Sequence, residues 1–130
     1  GFLNYFDDAE NGFVSAYRKS RPDGSFIVEV EYVSTSSLAG KTLILVDPML
    51  ASGASMVAAY DILCAHGGKP AHTHLVSVLG CTEGVDYVLE HTNPEDVDVW
   101  VATVDPVLNP HKYIVPGLGD AGDLCFGSKL

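Results

Sequence analysis

A chain of 130 residues suits one domain with a sizeable core, and an apolar share of 47% excludes intrinsic disorder. Seven Lys and Arg against 17 Asp and Glu give a net charge of −10, which disfavours nucleic acid and anionic membranes as partners. The same acidity repels a polyanionic substrate at long range, so a phosphate site here relies on local donors and a divalent cation. No apolar run reaches the roughly 18 residues of a membrane span, and no signal peptide is visible. Cys64, Cys81 and Cys125 lack CxxC spacing, which fits reduced thiols in a cytoplasmic chain. The chain opens on Gly1 without a Met, as a fragment or a processed chain would.

In chain order, Phe2, Leu3, Tyr5 and Phe6 have roughly helical spacing and predict a short helix or the C-terminal end of one. Residues 12–17 predict a strand, with Arg18 and Lys19 at its end. Arg21, Pro22, Asp23 and Gly24 are a turn signal. Over 26–33, Val28, Val30 and Tyr32 alternate with Glu29, Glu31 and Val33, the pattern of a half-exposed antiparallel strand. Residues 18–42 therefore form a two-stranded β-arm within a single domain spanning 1–130.

Leu43, Ile44, Leu45 and Val46 form a continuous apolar run, as in a parallel strand buried on both faces. Asp47 follows, and Pro48 is expected to stop the strand. Ala51, Ser52, Gly53, Ala54 and Ser55 make a small-residue loop, and residues 56–66 predict a helix that stops at Gly67 and Gly68. Small residues let backbone N–H groups approach an anion, and the helix start adds unpaired donors and partial positive charge. Strand, acid, loop and helix together suit one phosphate at the carboxyl end of a parallel strand. Asp47 can accept hydrogen bonds from sugar hydroxyls, or it can simply cap the strand end. The loop matches neither GxxxxGK[ST] nor GxGxxG.

Residues 72–80 predict the next strand and 82–91 a helix, with Thr82 as its cap and Val85, Val88 and Leu89 inward. Residues 97–104 predict a further strand. The alternation is that of a doubly wound α/β fold with a mainly parallel sheet. His72 and His74 share one strand face, but two ligands are too few for a zinc site, so no protein metal site is expected. Pro110, Pro116, Gly117, Gly119 and Gly122 make the remaining segment irregular, and it carries Asp120 and Asp123. On its own it reads as a surface loop with a metal or ligand role.

Two blocks go further. DPMLASGAS at 47–55 resembles the phosphoribosyl-pyrophosphate loop of uracil phosphoribosyltransferases, usually close to DPMLATGGS. YIVPGLGDAGDLCFGSK at 113–129 resembles the uracil-binding C-terminus of the same family. The resemblance runs through the chain but covers only about the C-terminal two-thirds of a typical member. It implies the type I phosphoribosyltransferase fold, N-terminally incomplete, and transfer of phosphoribosyl to uracil, giving UMP and pyrophosphate in pyrimidine salvage. It assigns phosphoribosyl pyrophosphate to Arg18, Asp47, Pro48, Met49, Leu50, Ala51, Ser52, Gly53, Ala54, Ser55 and Asp120. Uracil falls to Ile114, Gly119, Asp120 and Ala121, and Asp47 and Asp120 are the catalytic candidates. Mg²⁺, bound mainly through the substrate's pyrophosphate, and a homodimer or higher homo-oligomer joined through the arm are implied as well. Ser52 keeps the hydroxyl of the usual Thr. Ala54 replaces a Gly, which harms the loop only at positive φ. The alternatives are transfer to another base, or a ligand-sensing or dimerising module without turnover. The family's upstream core strands and a further Arg are not in this sequence, so the chain alone is expected to be poorly active or part of a longer protein.

Overall fold

The computed structural model describes residues 1–20 and 26–127, so the turn at Arg21 to Gly24 and Lys129 lie outside the described residues. A short 3-10 helix, Phe2–Asn4, replaces the predicted N-terminal helix. β1 (Phe13–Ser20) and β2 (Phe26–Ser34) pair antiparallel. Ser15 faces Tyr32 but Ala16 faces Val30, which leaves Glu31 as an extra residue. That bulge breaks the predicted alternation: Tyr32 is exposed while Val33 is half-buried.

The core is a three-stranded parallel sheet of β3 (Thr42–Leu50), β4 (His72–Cys81) and β5 (Val97–Asp105), in that order across the sheet. α1 (Ala54–Gly67) and α2 (Thr82–His91) connect them, so the α/β alternation expected from the sequence holds. β3 does not stop at Pro48. It runs on to Leu50 because the pairing with β4 passes from Asp47 to Met49, so the missing N–H of Pro48 costs no bond to β4. Nor is β3 buried on both faces: Ile44 and Val46 are exposed, and its residues alternate.

Both helices pack on one face of the sheet. Leu50, Met56, Val57, Leu75, Val88 and Val97 form the main core there. Leu75, on the central strand, is 1% exposed, and Val88 of α2 is fully buried. The opposite face carries Ile44, Val46, Val78 and Trp100, all exposed. The edge of β3 borders a cavity of about 800 Å³, lined by Phe2, Phe6, Phe13, Ile44 and Val46 among others.

α1 begins two residues earlier than predicted, at Ala54, because Gly53 turns the chain into the helix. It ends as predicted: Gly68 has φ 86°, and its N–H donates to the Cys64 carbonyl at 3.0 Å. Thr82 is not the cap of α2. Cys81 holds that position without a side-chain hydrogen bond. Leu89 is 49% exposed, at the far margin of the apolar stripe, and buried Gly84 takes an inward position instead.

The tail is more regular than its Gly and Pro content predicted. β6 (Val107–Leu108) pairs antiparallel with β7 (Ile114–Val115), and α3 (Ala121–Phe126) follows. Among the described residues, no helix is long and apolar enough to cross a membrane.

The two sheet faces give opposite expectations for unfolding by denaturant. Leu75→Ala should cost about 2–5 kcal/mol through a cavity on the packed face. Val78→Thr, 62% exposed on the other face, should change stability by only about 0.5 kcal/mol.

Candidate functional site

The carboxyl ends of β3, β4 and β5 face one side of the molecule, and the connections that leave them build the site. After Leu50 the chain passes through Ala51 and buried Ser52 to Gly53, the N-cap of α1, at φ 79°. An L-residue strains at that angle. A Cβ there would also stand 2.7 Å from the Gly84 carbonyl oxygen and 3.0 Å from the Tyr87 ring. The reverse holds as well: a Cβ on Gly84 would run into the Ala51 carbonyl. The loop therefore lies backbone to backbone on α2. Ala54 is in the first turn of α1 and is not a positive-φ residue, so its extra methyl group brings no backbone strain.

α1 starts with no side-chain cap hydrogen bond and no acid in its first turn. Its leading N–H groups and partial positive charge remain suited to an anion. Asp47 is half-buried, and its Oδ1 accepts the Met49 N–H at 3.1 Å. The strand-capping role is thus real, and it fixes the carboxylate. Asp47, Pro48 and Ser55 line the cavity beside β3. Arg18 lies in β1 opposite Val28, but its side chain lies outside what the structure describes.

The second block is anchored from β5. The carboxylate of Asp105 accepts the Gly117 N–H at 2.9 Å. Gly117 has φ 55°, and a Cβ there would meet the Ile114 carbonyl, so no larger residue fits this bend. The Val115–Pro116 peptide just before it is cis. Asn109 organises the β6–β7 turn: its Oδ1 accepts the N–H groups of His111 at 2.9 Å and Tyr113 at 3.0 Å. Lys112 ties the turn to α2 through Glu83 at 2.8 Å.

Ile114 is 2% exposed and packs with Leu79 and Cys81. Met49, Ala51 and Leu108 pack against the same three residues. One apolar cluster therefore brings the 47–55 loop and the C-terminal block together. The Ile114 side chain is enclosed by this cluster, and its backbone pairs with Leu108 in the β6–β7 ladder. Gly119 has φ 85° and open space where a Cβ would be. Asp120 is the N-cap of α3, with Oδ1 accepting the Asp123 N–H at 2.9 Å, and Ala121 is the first helical residue. Burial pushes the Cys64 thiol up, so it stays protonated and is no activated nucleophile.

The sequence reading missed Gly84, Asp105 and Asn109. An isolated glycine inside a helical pattern signals close packing, and Gly84 carried that signal. Asp105 and Asn109 gave none, because their partners lie twelve and up to four residues away along an irregular path.

The α/β chain thus sets an anion-suited loop at the carboxyl end of a parallel strand, where open α/β sheets bind ligands, beside a rigid Gly/Pro loop. The family model of uracil phosphoribosyltransferase matches residues 4–128. A uracil phosphoribosyltransferase of Porphyromonas gingivalis is 48% identical over 130 residues, covering all of this chain and 59% of the relative. One from Methanothermobacter thermautotrophicus is 39% identical over 127 residues, covering 98% of this chain and 56% of the relative. Among solved structures, the AQ2163 protein from Aquifex aeolicus superposes with a TM-score of 0.84 at 29% identity. That match covers 98% of this chain and 58% of the other. The chain belongs to the uracil phosphoribosyltransferase family. It spans 59% of the length of the first of these relatives.

Gly84→Ala should be far more damaging than an ordinary helix glycine replacement. Alanine normally favours a helix, yet here its methyl group pushes on the Ala51 backbone. Denaturant unfolding should show a loss of about 1–3 kcal/mol; a gain in stability would show that the loop does not rest on α2.

Proposed function

We propose that the protein carrying this chain transfers phosphoribosyl from phosphoribosyl pyrophosphate to uracil, giving UMP and pyrophosphate. The observation that supports this most is the shared cluster of Leu79, Cys81 and Ile114, on which Met49 and Ala51 also pack. It sets a phosphate-suited loop beside a backbone suited to reading a base.

In this reading the N–H groups of Ser52, Gly53, Ala54 and Ser55 hold the 5′-phosphate, with the two serine hydroxyls. Pro48, Met49, Leu50 and Ala51 carry the chain past the ribose. Asp47, held by the Met49 N–H, accepts from the ribose hydroxyls. Arg18 is assigned to the pyrophosphate, whose oxygens match a guanidinium's fork of donors. The backbone of Ile114, Gly119 and Ala121 pairs with the uracil edge, and cytosine would leave such groups unpaired. Asp120 stands at the start of α3, between base and pyrophosphate.

Displacement breaks the bond from the anomeric carbon to the pyrophosphate oxygen and forms the bond to uracil N1, which gives up its proton. The transition state carries positive charge on the sugar, so fixed carboxylates nearby stabilise it. The remaining contribution is positioning of two ligands. The carboxylates of Asp47 and Asp120 are hard oxygen donors, a set that fits Mg²⁺ shared with substrate phosphates. Bound there, Mg²⁺ would offset the charge of the leaving pyrophosphate.

The exposed side chains of Phe13, Ile27 and Tyr32 on the β1–β2 sheet support pairing with a second copy. Reduced thiols and salvage chemistry suit the cytoplasm.

Uracil-dependent release of pyrophosphate from phosphoribosyl pyrophosphate tests the reading. Asp47→Asn should lower kcat/KM by about 100-fold; unchanged turnover would remove Asp47 from the mechanism. Binding of both substrates without release would instead indicate a sensor, and release with another base would reassign the base. Asp105→Ala loosens the Gly117 bend and should raise KM for uracil about tenfold, leaving KM for phosphoribosyl pyrophosphate unchanged. Equal rises in both would mean general disruption.

A further inference from the structure

The end of the sheet away from the phosphate loop holds a cluster that the proposed reaction does not use. His72 and His74 share a face of β4, roughly 25 Å along the strand from Cys81. The sequence offered only these two donors. The parallel register places Asp98 of β5 opposite His74 and adds a third. Asp98 Oδ2 is 2.9 Å from His72 Nε2 and 3.4 Å from His74 Nδ1. All three donor atoms lie within 4.8 Å of one another.

We propose that His72, His74 and Asp98 form a binding site for a divalent transition-metal ion of the zinc class. Zinc bonds to imidazole nitrogen and carboxylate oxygen of about 2.0–2.2 Å put neighbouring donors about 3.3–3.6 Å apart in a tetrahedral shell. The His74–Asp98 distance lies in that range, and the His72–Asp98 distance, a hydrogen bond without the metal, would lengthen by about 0.4 Å to reach it. Two imidazoles and one carboxylate suit zinc-class ions better than Mg²⁺ or Ca²⁺. The three side chains are partly exposed, so water can take a fourth position.

A His–Asp hydrogen bond between strands would account for one imidazole only. The second imidazole brings its Nδ1 to 3.4 Å from the same oxygen, a convergence that a shared metal would use. His66 and His91 behave differently: each turns its Nδ1 onto the carbonyl four residues earlier, at 2.9 and 2.7 Å. Trp100 supplies a further mark. Its indole N–H donates to His74 Nδ1 at 3.1 Å, so that nitrogen carries a lone pair and no proton. A metal that takes this lone pair releases the indole N–H. Trp100 is the one tryptophan in the chain and so reports on the site directly. The site stands apart from the phosphoribosyl reading and does not depend on it.

The test is titration of the purified protein with Zn²⁺ alone, in the absence of phosphoribosyl compounds, followed by calorimetry and Trp100 emission. One saturable equivalent is expected, with the emission changing in step. His72→Gln, His74→Gln and Asp98→Asn should each weaken binding about tenfold or more. Cys125→Ser, which removes the exposed thiol, should leave binding unchanged. Co²⁺ bound to the unmodified protein should show nitrogen and oxygen coordination, a readout that needs no variant to fold. The proposal is overturned by absence of a saturable equivalent, by unchanged affinity in the histidine variants, or by a thiolate band with Co²⁺.

Discussion

The contact between two stretches of backbone, the β3–α1 loop and α2, is what the rest of the site depends on. Gly53 and Gly84 face each other across it, and neither has room for a methyl group. Because the loop cannot lift away without losing this contact, the first N–H groups of α1 are held in one direction. A phosphate site made of backbone donors, as proposed for residues 52–55, needs that fixity. An acidic chain of net charge −10 gives no long-range help. The donors must be preorganised, and the glycine pair is how that is done.

The proposed base side obeys the same logic with different parts. Asp105 at the end of β5 holds the Gly117 N–H, and Ile114 is sunk into the core beneath. Recognition by main-chain groups is only as selective as the path of that chain is rigid. The Ile114 cluster also carries Met49 and Ala51, so the two halves of the site share one floor. A shift of either half moves the other. The placement of Asp120 adds to this: by capping α3 it fixes both its own carboxylate and the start of the helix.

Much of the architecture was legible in the sequence where periodicity and punctuation agree. α2 falls on the predicted residues 82–91, and α1 stops at the predicted glycines. Pro48 does not end the strand from 43, because the ladder to β4 passes over it between Asp47 and Met49. Leu89 looked inward on periodicity, yet Gly84 takes the tight place against the loop. The tail looked irregular because Gly and Pro dominate it, while its order comes from Asn109 and Asp105. Hydrogen bonds from side chains to backbone in such a segment leave no period to read. The two specific sequence blocks were visible from the start. That they meet on one apolar cluster was not, because Ile114 gives no hint of its partners.

The most direct measurement is a crystal structure of the protein with UMP bound. The account predicts the 5′-phosphate on the N–H groups of residues 52–55 and the uracil edge on the backbone of Ile114, Gly119 and Ala121. A nucleotide seated elsewhere, touching neither the loop nor the tail, would contradict it.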